Sequence, residues 1–77
     1  GLQTNYLKDG TKVVESNYKE NKQHGLLIVY RKDGTKKMET NYKDGKEHGL
    51  YISYREDGSK EKECQYTEGN QDWCKEF

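Results

Sequence analysis

The 77-residue chain has no proline, no alanine, a single tryptophan and a single phenylalanine, and no apolar run longer than Leu26 to Tyr30. A run that short excludes a membrane-spanning helix, which needs about 20 apolar residues. No stretch has the layout of a secretory signal peptide. A charge excess of either sign is missing too: 14 basic residues meet 14 acidic ones, which argues against a general nucleic-acid binder. Hydrophobic residues make up 29% of the chain and charged ones 36%. That is one small domain at most, with a composition near that of disordered chains. The missing proline points the other way, because every backbone N–H is left able to join a strand ladder.

What the chain does have is tyrosine, in a fixed rhythm. Tyr6, Tyr18, Tyr30, Tyr42, Tyr54 and Tyr66 follow one another at intervals of 12. A longer identity of period 24 runs around them: Asp9-Gly10-Thr11-Lys12 returns as Asp33-Gly34-Thr35-Lys36 and Asp57-Gly58-Ser59-Lys60, and His24-Gly25-Leu26 returns as His48-Gly49-Leu50. A period in this range marks a repeat architecture. Two 12-residue halves per unit imply two short strands per unit, joined by turns of two kinds. One turn is centred on Asp-Gly, a strong hairpin signal, and the other ends in His-Gly. The pattern predicts an all-β, single elongated twisted sheet, an antiparallel meander of about six to seven short strands built from 24-residue β-hairpin repeats. Strands are expected near 12–19, 26–31, 36–43, 50–55 and 60–67, with outer ones near 3–7 and 73–77. Units fall at about 9–32 and 33–56, with a divergent capping unit at 57–77.

Alternation sorts strand residues onto faces. Even positions carry Tyr18, Leu26, Ile28, Tyr30, Tyr42, Leu50, Ile52, Tyr54 and Tyr66, and odd positions are mostly polar. Keeping the even set on one face requires a three-residue bulged loop at Asp33-Gly34, pairing Arg31 with Thr35 and Ile28 with Met38. It also requires a five-residue loop from Asp44 to His48, opposing Tyr42 to Leu50 and Thr40 to Ile52. Tyr6, Tyr30 and Tyr54 then line one end of the strands, and Tyr18, Tyr42 and Tyr66 the other.

The stretch Asn41-Tyr42-Lys43-Asp44-Gly45-Lys46-Glu47-His48-Gly49-Leu50, with the recurrent Asp-Gly-Thr-Lys, resembles the bacterial variant of the MORN repeat. The resemblance covers nearly the whole chain in about three units. It implies successive β-hairpins in one twisted sheet and, more loosely, an antitoxin or immunity component that neutralises a toxin, or a scaffold that dimerises or meets phospholipid. The third unit departs from the pattern, with Asp72-Trp73-Cys74 where His-Gly-Leu would stand. The eukaryotic Gly-x-Gly signature is also absent, which weakens the phospholipid expectation. Starting at Gly1 without methionine, the chain reads as a processed product or an excised fragment.

Chemistry beyond packing finds little footing. His24 and His48 occupy equivalent turns about two strands apart, too far for shared Zn–N bonds of about 2.0–2.1 Å, and no nucleophile recurs beside them. They read as turn residues, with Asp9, Gly10, Asp33, Gly34, Asp57, Gly58, Gly25 and Gly49 as the other structural turn positions. The expected register sets Cys74 opposite Tyr66 and diagonal to Cys64, too long for a bond, so the cysteines read as free thiols with a disulfide as the alternative. Recurrent lysines near the turns are matched in period by acids, so no single-sign patch is expected. No catalytic residue, metal or cofactor is expected. The apolar even face is the candidate surface for a protein partner, either a toxin or a second copy; a membrane surface is the weaker option, nucleic acid is not expected, and the cytoplasm is the favoured location.

Overall fold

The structure is a computed structural model that describes residues 2–6 and 12–77; the expected Asp9-Gly10 turn lies outside them. The described residues form strands and turns with no helix. The strands are β1 (Leu2–Tyr6), β2 (Lys12–Lys19), β3 (Lys22–Gln23), β4 (Gly25–Tyr30), β5 (Lys36–Lys43), β6 (Lys46–Glu47), β7 (Gly49–Tyr54), β8 (Lys60–Thr67) and β9 (Asn70–Glu76). They form one antiparallel meander in the order β1-β2-β4-β5-β7-β8-β9, with β3 on β2 and β6 on β5. The body measures 37 × 36 × 11 Å, one layer thick. Outward-alternating tyrosines and β-branched residues suit such a half-covered pleated surface.

The Asp-Gly turns take the expected form. Arg31 N donates to Thr35 O at 2.7 Å and Gly34 N to Arg31 O at 2.9 Å, so the loop is Lys32-Asp33-Gly34. Gly34 at φ 90° and Gly58 at φ 89° supply the left-handed residue that a side chain would strain. Asp33 Oδ1 accepts from the Thr35 amide and hydroxyl, and Asp57 Oδ1 does the same from Ser59. These bonds, the hydroxyl's foremost, lower both aspartate pKa values.

The second turn is shorter than expected. Lys43 pairs with Lys46 and Lys19 with Lys22, leaving two-residue loops at Glu20-Asn21 and Asp44-Gly45 with positive φ throughout, the geometry that matches strand twist. Thr67 pairs with Asn70 around Glu68-Gly69 in the same way. His24-Gly25 and His48-Gly49 are therefore not loop ends but extra residues in the ladder, since Tyr42 opposes Glu47 while Glu39 opposes Ile52. A further extra residue enters near each Asp-Gly turn, because Tyr30 opposes Lys36 while Val29 opposes Met38.

These insertions overturn the expected faces. Ile28 opposes Glu39 and not Met38, and Thr40 opposes Leu27 while Ile52 opposes Glu39; Tyr42 meets Glu47, not Leu50. A one-residue slip moves a strand's whole side-chain set across the sheet. The front face consequently carries Val14, Ser16, Tyr18, Leu27, Val29, Met38, Thr40, Tyr42, Tyr51, Cys64 and Tyr66. The back face carries Glu15, Leu26, Ile28, Tyr30, Glu39, Leu50, Ile52, Tyr54, Glu63 and Trp73. In the third unit only Asp72 is inserted, as Gln65 opposes Trp73 and Tyr66 opposes Gln71. Cys74 then lies directly opposite Cys64 with Cα atoms 4.0 Å apart, and the two form a disulfide. The free-thiol reading is corrected by that single missing residue.

Burial is sparse. Ile28, Cys64, Ser16 and Thr40 are buried, and the last three occupy the same position in successive units. Covalent and polar links supply what burial does not. Gly45 N donates to Gln23 O at 2.9 Å and Gly69 N to Glu47 O at 2.8 Å, tying the second and third two-residue turns to the unit before them. Arg31 reaches forward to the carbonyls of Tyr54 and Arg55, and Arg55 reaches the carbonyl of Phe77. Such charge-assisted bonds are stronger than neutral ones.

Two stability predictions arise. Thr40 is 1% exposed and its Oγ1 finds no hydrogen-bond partner among the described residues, a cost of about 1–3 kcal/mol; Thr40→Val is expected to raise stability by about 1 kcal/mol in urea unfolding. Reducing Cys64–Cys74, which closes a loop with a sequence separation of 10, is expected to lower stability by about 3 kcal/mol, read as a lower thermal midpoint with reductant than without.

Candidate functional site

Strand periodicity turns each face into cross-strand rows, and the back face has the sharper banding. Its first row, at the two-residue turns, holds the directly opposed pairs Lys19/Lys22 and Lys43/Lys46. The next runs Asn17, Leu26, Asn41, Leu50, Gln65 and Trp73. A third alternates Glu15, Ile28, Glu39, Ile52 and Glu63, ending on Lys75, and the last, at the Asp-Gly turns, holds Tyr30, Lys36, Tyr54 and Lys60. Leu26 and Leu50 are each 39% exposed and Trp73 46%. Asn17 Nδ2 donates to Leu26 O at 3.2 Å and Asn41 Nδ2 to Leu50 O at 3.1 Å, so the amides between the leucines are spent on the sheet itself.

The acidic row is neutralised from within. Lys36 Nζ lies 3.4 Å from Glu39 Oε2 and Lys60 Nζ 3.2 Å from Glu63 Oε2. Tyr54 Oη donates to Glu39 Oε1 at 2.7 Å, and that bond to a carboxylate, with burial second, pushes the Tyr54 pKa up to about 12. By contrast, Lys19, Lys22, Lys43 and Lys46 enter no ion pair among the described residues.

On the front face Tyr18 opposes Gln23, Tyr42 opposes Glu47 and Tyr66 opposes Gln71, with Tyr66 Oη donating to Gln71 Oε1 at 3.3 Å. Tyr51 and Tyr66 meet edge to face at 6.4 Å. Burial raises the pKa values of Tyr42 and Tyr51, and the nearby Glu47 carboxylate adds to both. A hollow of about 480 Å³ lies between Arg31, Met38, Tyr51, Tyr54 and Lys62 near the Asp-Gly turns. A smaller one of about 280 Å³, lined by Lys43, Asp44, Lys46, His48 and Glu68, lies at the opposite end.

The residues expected to share one partner surface are thus divided. Leu26, Ile28, Tyr30, Leu50, Ile52 and Tyr54 stand on the back, Tyr18, Tyr42 and Tyr66 on the front. The two tyrosine sets do lie at opposite strand ends, as the 12-residue spacing predicts. The histidines bridge units: His48 Nδ1 accepts the Glu68 N–H at 3.3 Å, and His24 Nδ1, 3.9 Å from Asp44 Oδ1, is buried without a hydrogen bond. Gly25 and Gly49 serve the same corners, at φ 100° and 109°; a Cβ on Gly49 would stand 3.4 Å from Asn41 Cβ. Among the described residues no three His, Cys, Asp or Glu side chains gather where they could hold a metal ion.

Trp73 and the opposed lysine pairs were missed by the sequence reading. The signal was present: Glu68-Gly69 repeats Asp44-Gly45, and a two-residue turn there carries Trp73 to the back. Comparison of the chain with family models, with curated proteins and with solved structures finds no match.

The Tyr54–Glu39 contact predicts a pH signature. Tyr54 holds its proton more tightly folded than unfolded, so its stabilisation is complete below the ordinary tyrosine value of 10.0 and is lost as pH rises from there through about 12. An ultraviolet absorbance titration should show a tyrosine ionising near pH 12, and Glu39→Gln should return it toward 10.0.

Proposed function

We propose that the chain is a non-enzymatic protein-binding repeat module. The observation that carries this reading is a one-layer sheet that leaves Leu26, Leu50 and Trp73 between 39% and 46% exposed in a single row. Exposed apolar side chains aligned in a row and rimmed by polar groups mark interaction surfaces, and aromatic anchors contribute disproportionately to them. Among the described residues the repeating positions are occupied by turns, ladder insertions and inter-unit bonds. The likeness to bacterial MORN variants adds a kind of partner, a toxin neutralised by an antitoxin or immunity protein.

A second reading, a structural scaffold that assembles through its sheet, draws on a separate observation. The strand order ends on β1 and β9, each with one backbone edge unpaired among the described residues, and such edges template pairing with another chain.

A tagged protein passed over lysate of its native cell should recover a partner at one-to-one stoichiometry, and Leu26→Ser with Leu50→Ser should lose it. Recovery of no such partner, or equal recovery by the variant, contradicts the module reading. Self-association that rises with concentration in sedimentation, with no other chain bound, would support the scaffold in its place.

A further inference from the structure

The zero net charge of the chain conceals a polarised surface. On the back face the carboxylates of Glu39 and Glu63 are matched by Lys36 and Lys60, whereas the lysine row at the two-residue turns enters no ion pair among the described residues. Its members stand directly opposite one another, Lys19 to Lys22 and Lys43 to Lys46, an arrangement that weakens a hairpin. Of the acids adjacent to these lysines in sequence, Glu47 lies on the front face against Tyr42, Glu20 sits in the first two-residue turn beside Lys19, and Asp44, 3.9 Å from His24, lines the small hollow with Lys43 and Lys46. Glu68 shares the small hollow with Lys43 and Lys46 and offsets one charge there. Four lysines that enter no ion pair among the described residues therefore run beside the exposed Leu26, Leu50 and Trp73 row.

Spacing narrows what could lie on it. Leu26, Leu50 and Trp73 stand on β4, β7 and β9, each two strands from the next in the sheet order. At about 4.8 Å per strand the steps are about 9.6 Å. Two turns of an α-helix rise about 10.8 Å, so a helix laid across the strands presents apolar side chains seven residues apart close to these anchors.

Resting on the protein-binding reading above, we propose that the back face docks an acidic amphipathic helix of a partner protein. Its apolar stripe seats on Leu26, Leu50 and Trp73, and its carboxylates meet Lys19, Lys22, Lys43 and Lys46. Charge complementarity selects the partner and steers the encounter, and the apolar row provides the contact.

Trp73 is the chain's only tryptophan and reports the event directly. The probe is a synthetic 21-residue helix with leucine at heptad positions and glutamate along one flank, compared with versions carrying lysine for glutamate or serine for leucine. Titrating it into the full chain should shift Trp73 emission to the blue, with affinity falling as ionic strength rises, and neither altered peptide should do so. Lys43→Ala with Lys46→Ala removes an opposed like-charge pair, so it should melt no lower than the parent yet bind at least tenfold more weakly. No blue shift with the acidic peptide, an equal shift with the basic one, or full binding by the alanine variant overturns the proposal. The lysate experiment reads a partner of any charge and the peptide assay only an acidic one. A partner recovered there alongside a silent acidic peptide therefore refutes the choice of helix and leaves the module reading standing.

Discussion

In a sheet one layer thick, the backbone ladder must do what a second layer would otherwise do by burial. The ladder here is continuous from β1 to β9, and its irregularities recur with the sequence period. Two-residue turns at one end and three-residue bulged turns at the other would by themselves bring mismatched faces together. The single residue inserted near each Asp-Gly turn resolves this, because it shifts the register by one, whereas the paired His-Gly insertions leave the faces unchanged. Everything else depends on that register: the buried Ser16, Thr40 and Cys64 column, the Tyr54–Glu39 bond, the row of exposed apolar residues, and the disulfide.

The units are joined by bonds that each repeat makes to the next. The two-residue turns stack through the Gly45 and Gly69 amides, and His48 reaches the Glu68 amide beyond them. At the other end Arg31 and Arg55 extend to carbonyls of the following hairpin. Nearest-neighbour coupling of this kind is how repeat proteins share stability among units too small to fold alone. It also explains how a chain that is 29% hydrophobic holds a defined sheet: few groups are buried, and polar bonds tie the strand ends. The last unit differs by one residue in its ladder insertion, and the covalent Cys64–Cys74 link holds β9, whose residues are exposed along their whole length.

Much of this was legible beforehand, and what was not has a definite cause. The 12-residue tyrosine spacing gave the seven strands of the main path, though not the two-residue β3 and β6, together with strand direction and the opposite-end placement of the two tyrosine sets. Asp33-Gly34 gave its loop correctly, because Gly at positive φ leaves few alternatives. The face assignment failed because an inserted ladder residue carries no composition of its own: Lys37 and Glu61 look like ordinary strand residues. His48 failed for a related reason, since its recurrence marks importance without distinguishing a loop end from an insertion. Asp44-Gly45 did carry the signal of a two-residue turn, and the assumption that one face holds all the apolar residues overrode it. Dividing them between faces leaves Leu26 and Leu50 in a thin row instead of a core.

The register is tested most directly by cross-strand nuclear Overhauser contacts in the folded protein. The account predicts backbone contacts that place Leu27 opposite Thr40, Val29 opposite Met38 and Glu39 opposite Ile52. Contacts placing Ile28 opposite Met38 and Thr40 opposite Ile52 would return the apolar residues to a single face and contradict it.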